Sequence, residues 1–175
     1  TGTYIGTSAA IILQILKDYD FCSRKLWVFD SFEGLPVPTK EDKGQGAPGK
    51  FNITVDMFKR NMIAAGVYDE KQLVITKGWF RDTCAQSKVE KIAYLRLDGD
   101  LFASTWDAIT ALYARVVPGG IVYVDDYGSF AGCRQAIELF RTQLGIYEPL
   151  HYVRENEGKS RRIEFEAVWW VKRES

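Results

Sequence analysis

The chain is poor in the residues that build disulfide frameworks and zinc sites. It has three cysteines, Cys22, Cys84 and Cys133, and a single histidine, His151. The cysteines are odd in number, widely spaced and form no CxxC pair, which argues against a disulfide scaffold and fits a reducing cytoplasm. One histidine without a cysteine cluster argues against zinc. Net charge is also missing: Lys+Arg and Asp+Glu are both 23, so no basic excess offers itself to nucleic acid or to an anionic membrane. No apolar run reaches the roughly 18 residues of a membrane span, and no secretory signal is visible. There is no initiator Met, and Thr1 stands inside what reads as a glycine turn with no strand ahead of it. The expectation is therefore an N-terminally truncated single domain over residues 1–175. Its 46% hydrophobic content suffices for one sizeable core.

Strand-like and helix-like segments alternate without repeats. The turn Gly2–Gly6 leads into a helix from Ser8 to Asp18, with Ala9, Ile12 and Leu16 at helical spacing. Residues 25–30, KLWVFD, read as a buried strand ending in an acid. Residues 34–50 are rich in Gly, Pro and charge, and their length suggests a lid or disorder. Thr54 can cap a helix that turns Val55, Phe58 and Met62 inward. Short strands follow at 73–76 and 92–97. Ser104 and Asp107 have the spacing of a capping box for a helix burying Ile109, Leu112, Tyr113 and Val116, and Pro118-Gly119-Gly120 ends it. A strand at 121–124 meets Asp125-Asp126, and a helix with Cys133, Ile137, Phe140 and Leu144 on one side follows. The end reads as two strands, near 149–155 and 162–172, joined by a charged turn at 156–160. Continuous apolar strands alternating with helices predict an α/β fold, a mostly parallel sheet covered on both faces with an antiparallel C-terminal strand pair.

In such sheets ligands bind beyond the carboxyl ends of the strands, where Asp30, Gly78, Asp98, Asp125 and Asp126 fall. The glycines of Gly2-Thr3-Tyr4-Ile5-Gly6 allow close backbone approach, and the helix start behind them offers N–H groups to an anion such as the carboxylate of S-adenosylmethionine. An ordinary strand-to-helix turn reads the same way. Asp30, with Ser31 beside it, lies near the offset expected of a ribose-binding acid. No GxGxxG is present, which favours a nucleoside without a pyrophosphate. Asp98 ends one strand and Asp125-Asp126 ends the next. Adjacent strands lie about 4.8 Å apart, so these carboxylates converge, repel, and call for a cation. An oxygen-only set suits Mg²⁺, while the plainer reading is solvated acids. Asp100 is placed to take a proton from a metal-bound hydroxyl. It also reads as a surface acid or a helix N-terminal charge. Gly78 follows a strand, and Trp79 or Phe80 can pack on an adenine ring or simply fill core. His151 reads as structural, Lys159, Arg161 and Arg162 as a solvated turn, and one of Trp169-Trp170 as core.

The segments GTYIGTSA, VFDSFEGLP, TKGWFRDT, YLRLDGDLFAST and VVPGGIVYVDDYGSFAGCRQAIELF together resemble the macrocin-type O-methyltransferases, which methylate deoxysugar hydroxyls of macrolides and aminocoumarins. The resemblance runs over nearly the whole chain. It implies a three-layer α/β/α Rossmann-like fold of the class I methyltransferases, S-adenosylmethionine as methyl donor and Mg²⁺. By position it implies Asp98, Asp125 and Asp126 as metal ligands, Asp100 as general base and Asp30 as ribose ligand. Gly2, Tyr4, Gly6 and Ser8 match the donor-binding motif, and Gly78, Trp79 and Asp98 complete the expected cofactor-binding set. Catechol-type relatives carry a Lys three positions after the first metal Asp, and some macrolide enzymes a His. This chain has Leu101, which leaves Asp100 as the base. The family's first strand and upstream helices have no counterpart in the chain. The expected partner is a small-molecule acceptor, a sugar first and a phenol second, with no nucleic acid and no membrane. A homodimer is compatible with the aromatics of the last strands. A binding-only remnant is the non-enzymatic alternative.

Overall fold

A computed structural model describes residues 1–19, 24–154 and 165–173. Cys22, the charged turn at 156–160 and the cations Lys159, Arg161 and Arg162 lie outside the described residues. The elements run α1 (Thr7–Tyr19), β1 (Leu26–Asp30), α2 (Val55–Ala64), β2 (Leu73–Lys77), α3 (Phe80–Thr83), β3 (Ile92–Leu97), α4 (Phe102–Leu112), β4 (Val116–Val124), α5 (Ala131–Gln143), β5 (His151–Val153) and β6 (Ala167–Val171). β1 and β2 pair in parallel, as do β3 and β4, and β6 runs antiparallel to both β4 and β5. The strand order is β1-β2 in one ladder and β3-β4-β6-β5 in the other.

The expected single sheet is thus divided into two ladders. Where the resemblance implies a further strand, the facing edges of β1 and β3 border an open cleft of about 610 Å³, walled by Trp27, Ala93 and Leu95 and roofed by Ile12 and Leu16 of α1. Thr1 and Gly2 join the two ladders at their carboxyl ends: the Thr1 amino group donates to the Arg96 carbonyl (2.7 Å) and the Gly2 N–H to the Phe29 carbonyl (2.9 Å).

Two apolar cores correspond to the two ladders. Ala9, Leu13, Phe58 and Met62 pack α1 and α2 onto β1 and β2. Leu97, Ile109, Val122, Ile137 and Trp170 pack α4 and α5 onto β3, β4 and β6. Each fully buried large side chain contributes about 1.5–3 kcal/mol, so these faces hold the strand ends in place. Trp170 is fully buried, whereas Trp169 is half-buried and stacks on His151 at 4.1 Å between ring centroids. Thr54 caps α2, accepting from the Met57 N–H at 3.1 Å.

Four sequence expectations are corrected. Ser104 and Asp107 form no capping box, because the N-cap of α4 lies three residues earlier, at Leu101, which has no capping side chain. Val116 is the first residue of β4, not the end of a helix. That strand starts before Pro118-Gly119-Gly120 because Gly119 and Gly120 pair with Lys172 on the antiparallel neighbour. Leu144 is exposed, since α5 ends at Gln143. Finally, the segment 34–50 is not loose. Leu35 pairs with Gly49 and Lys50 at its neck, and a short helical turn at Lys40–Asp42 forms inside it, making it a compact Ω-type loop.

Candidate functional site

At the carboxyl ends of β1, β2, β3 and β4 lies a cavity of about 650 Å³, within the range of roughly 300–1,000 Å³ for small-molecule sites. Gly2, Tyr4, Asp30, Ser31, Trp79 and Asp98 line it, together with Asp100 and Asp126. Three of the expected cofactor residues stand off its wall. Gly6 packs on α2, where a Cβ would meet Met62 Cε at 2.5 Å. Ser8 faces the interladder cleft. Gly78 takes a φ of 144° and donates its N–H to the Asp30 carbonyl, so it shapes the turn beneath the site.

The glycine turn is built against Asp98. Gly2 has a φ of 69°, and a Cβ there would lie 1.6 Å from the Asp98 carbonyl oxygen, so only glycine fits. Asp30 closes the turn from the other side. Its Oδ2 accepts from the Thr3 N–H (2.7 Å) and hydroxyl (3.1 Å), and its Oδ1 accepts from the Phe32 N–H (2.8 Å). A carboxylate has about four lone-pair sites, so Asp30 keeps acceptor capacity toward the cavity. Ser31 spends its hydroxyl on the Gly34 carbonyl at 2.9 Å.

The acid end is crowded. Carboxylate oxygens of Asp98, Asp100 and Asp126 come within 4.8 Å of one another. Burial first, then Asp98 and Asp125, push the Asp100 carboxyl up to about 7. Asp126 is raised well above the usual carboxylate range by burial and by Asp98, Asp100 and Asp125. Asp100 also holds a left-handed φ of 56° and donates its N–H to Asp126 Oδ2 at 3.3 Å. Tyr4 and Phe51, both with positive φ, meet edge to face at 5.3 Å on the opposite wall. Unfavourable backbone angles of this kind concentrate at functional sites.

Asp125 is placed differently from the expectation. Its Oδ2 pairs with Arg96 at 2.8 Å, and the same guanidinium binds Asp98. Burial raises the Asp125 carboxyl, with Asp98 adding to it and Arg96 opposing. For Arg96 itself, burial pulls the pKa down, but Asp98 and Asp125 outweigh it and raise it. The set brought together is therefore Asp98, Asp100 and Asp126, with Asp125 one step away on Arg96. Arg96 was not singled out in the sequence. The available signal is that Arg96, near the end of β3, lies two positions before Asp98 just past that end, a spacing that puts both side chains on one side. Arg81 also lines the cavity without having been singled out, as do Ser104 and Asp107, which the sequence suggested only as a helix cap. Leu101, in place of a basic residue, is buried, with Gly46 so close that a Cβ there would lie 2.8 Å from its Cδ2.

The donor set fits a hard divalent cation. It is all oxygen, three carboxylates converge, and burial together with their mutual repulsion raises the carboxyls of Asp100 and Asp126, a strain that a bound cation would relieve. The other end of the cavity offers what an adenosyl amino acid needs: a strand-end carboxylate, a tight glycine turn, and Trp79 and Phe80 as aromatic surface. Among the described residues no helix is long and apolar enough to cross a membrane.

Comparison with known proteins agrees with this geometry. Residues 1–171 match the macrocin-O-methyltransferase (TylF) family. Mycinamicin III 3''-O-methyltransferase of Micromonospora griseorubida is 35% identical over 159 residues, covering 86% of this chain and 62% of that protein. Demethyldecarbamoylnovobiocin O-methyltransferase of Streptomyces niveus is 35% identical over 158 residues, covering 86% and 60%. The chain thus spans about three fifths of the length of these relatives. Among solved structures, the O-methyltransferase NovP superposes with a TM-score of 0.82 at 30% identity, covering 99% of this chain and 70% of that one. A Bacillus cereus O-methyltransferase solved with SAH shares the fold, with a TM-score of 0.54 at 13% identity, covering 98% and 84%.

Proposed function

The chain belongs to the macrocin-O-methyltransferase family, and on that basis we propose that it forms the donor- and metal-binding part of an enzyme that methylates a sugar hydroxyl of a small molecule with S-adenosylmethionine and Mg²⁺. The observation that carries this reading is one cavity with a nucleoside-type end, Gly2–Tyr4 and Asp30, and an acid end, Asp98, Asp100 and Asp126. Two of the relatives named above are methyltransferases of mycinamicin III and of demethyldecarbamoylnovobiocin, in line with the sugar acceptor that the family resemblance implies over a phenol.

Asp30 would hold the ribose hydroxyls with its remaining lone pairs, while Thr3 and Phe32 keep its carboxylate oriented. The missing side chain of Gly2 lets the glycine turn pack against the Asp98 backbone, which puts the turn and the acid end on one cavity. Trp79 and Phe80 would flank the adenine ring. Asp98 and Asp126 would hold the cation, with Asp125 joining them if Arg96 yields it. When bound, S-adenosylmethionine supplies an electrophilic methyl group and Mg²⁺ lowers the pKa of a hydroxyl it touches. Asp100 would receive the acceptor hydroxyl's proton at a carboxylate oxygen. Alignment of acceptor oxygen and methyl carbon across the two cavity ends would supply much of the acceleration, up to about 7–11 kcal/mol in favourable systems.

Calorimetric titration of S-adenosylmethionine, with Mg²⁺ and then with EDTA, followed by labelled-methyl transfer to a panel of sugar glycosides and phenols, tests the proposal. Donor binding and methylated glycoside support it. Donor binding with methylation of phenols alone overturns the sugar assignment, and a folded protein that takes no donor overturns the whole. Asp98→Ala is expected to abolish Mg²⁺-dependent turnover while sparing donor affinity. Asp100→Asn is expected to lower the maximal rate with metal affinity retained. A loss of metal in that variant instead would make Asp100 the third ligand.

A further inference from the structure

The two helices that follow the acid-bearing strand ends both lack a capping side chain of their own. α4 opens behind Leu101 and α5 behind Phe130, neither with a side-chain cap. The caps come from the Ω-type loop. Asp42, buried in the interior, accepts the Phe102 N–H on Oδ1 at 2.7 Å. Its Oδ2 accepts the Thr39 N–H at 2.7 Å and the Thr39 hydroxyl at 3.0 Å. Gln45 accepts the Ala131 N–H on Oε1 at 2.7 Å and donates through Nε2 to the Ser129 carbonyl at 2.7 Å. The two side chains are fixed to each other by the Gln45 N–H bond to the Asp42 carbonyl at 2.9 Å.

Each cap sits close to an acid turn. Phe102 is two residues from Asp100, and Ala131 is tied back to Asp126 through the Phe130 N–H bond to the Asp126 carbonyl at 2.9 Å. The fit at Asp42 also fixes the residue opposite it, because a Cβ on Gly132 would lie 1.9 Å from Asp42 Oδ1. One loop therefore grips the Asp98–Asp100 turn with Asp42 and the Asp125–Asp126 turn with Gln45.

We propose that Asp42 and Gln45 are positioning residues that set the separation of the two acid turns and thereby the cation affinity of Asp98 and Asp126. Neither touches the cluster, so they act through the backbone of α4 and α5. The proposal rests on the metal reading given above. Support of this outer kind typically carries about 10–100-fold in metal affinity.

The test compares the wild-type chain with Gln45→Ala and Asp42→Asn. Asp42→Asn sets an amide donor against the Thr39 or Phe102 N–H. Gln45 is only half-buried, so its variant removes a cap with little loss of core. Mn²⁺ binding by electron paramagnetic resonance is expected to weaken about tenfold or more in each, with S-adenosylmethionine affinity unchanged and amide exchange quickened at Phe102 or at Ala131. Variants with wild-type Mn²⁺ affinity overturn the proposal. If the wild type itself takes no Mn²⁺, the metal reading falls. The amide exchange then decides the positioning role, and unchanged protection at Phe102 and Ala131 overturns it as well.

Discussion

Replacing Asp126 by Asn should stabilise the metal-free protein and make it blind to Mg²⁺. Asp126 is nearly buried and faces Asp98 and Asp100, with carboxylate oxygens within 4.8 Å of one another. At the outer limit of that spacing, 4.8 Å, two unit charges repel by about 332/(20 × 4.8), or about 3.5 kcal/mol, at an effective dielectric of roughly 20, and by about 1 kcal/mol in bulk water. Arg96 already offsets part of this through Asp98, and proton uptake on Asp100 relieves more of it below about pH 7. A net gain of about 1–3 kcal/mol at pH 8 is the expectation. For a chain of this size, that is a rise in Tm of about 2–12 °C. The amide oxygen can still accept the Asp100 N–H, so the turn keeps its geometry. Mg²⁺ at about one hundred times its dissociation constant should add about 2.7 kcal/mol to the wild type and almost nothing to the variant. Differential scanning calorimetry at pH 8, with and without Mg²⁺, reads both effects. A metal-free variant less stable than wild type, or equal Mg²⁺ stabilisation of the two, would refute the reasoning.

Three further outcomes follow from the same geometry. With metal absent, stability should fall as pH rises from about 4 to about 7, because the folded state binds the Asp100 proton more tightly than the unfolded chain does. Mg²⁺ should flatten that slope, and melts across this window check both statements. Asp30→Asn should weaken S-adenosylmethionine binding by about 10–100-fold, the value of one charge-assisted hydrogen bond, and should loosen the Gly2–Tyr4 turn that Asp30 braces through Thr3. Unchanged calorimetric affinity would move the ribose elsewhere. Gly132→Ala should cost about 1–3 kcal/mol by overpacking, since the added methyl would meet Asp42 Oδ1 at 1.9 Å. Denaturant titration measures it, and a neutral result would mean that the Ω-type loop can shift freely.

Much of the site was legible because strand ends are legible. The apolar runs ending at Asp30, Asp98 and Asp125 place carboxylates at one edge of a parallel sheet, and the structure puts Asp30, Asp98, Asp100 and Asp126 around one cavity. The glycine turn was readable for the same reason, since Gly2 tolerates the backbone of Asp98 where no side chain can. Of the two readings of the loop at 34–50, lid or disorder, the structure sets aside disorder, which its composition suggested because composition records only the absence of regular structure. Nothing in Asp42 or Gln45 as letters says that they accept N–H groups from helices 60 and 86 positions further along the chain.

Alternation of apolar strands and helices, together with local turn chemistry, determined the order of the elements and the sheet edge at which the acids gather, since these depend on near neighbours in the chain. Tertiary structure alone decided which carboxylates meet. Arg96 pairs with both Asp98 and Asp125, and of the two only Asp98 also converges with Asp100 and Asp126. That choice is a balance of burial, repulsion and one cation acting across adjacent strands, and a linear pattern does not encode distances between strands.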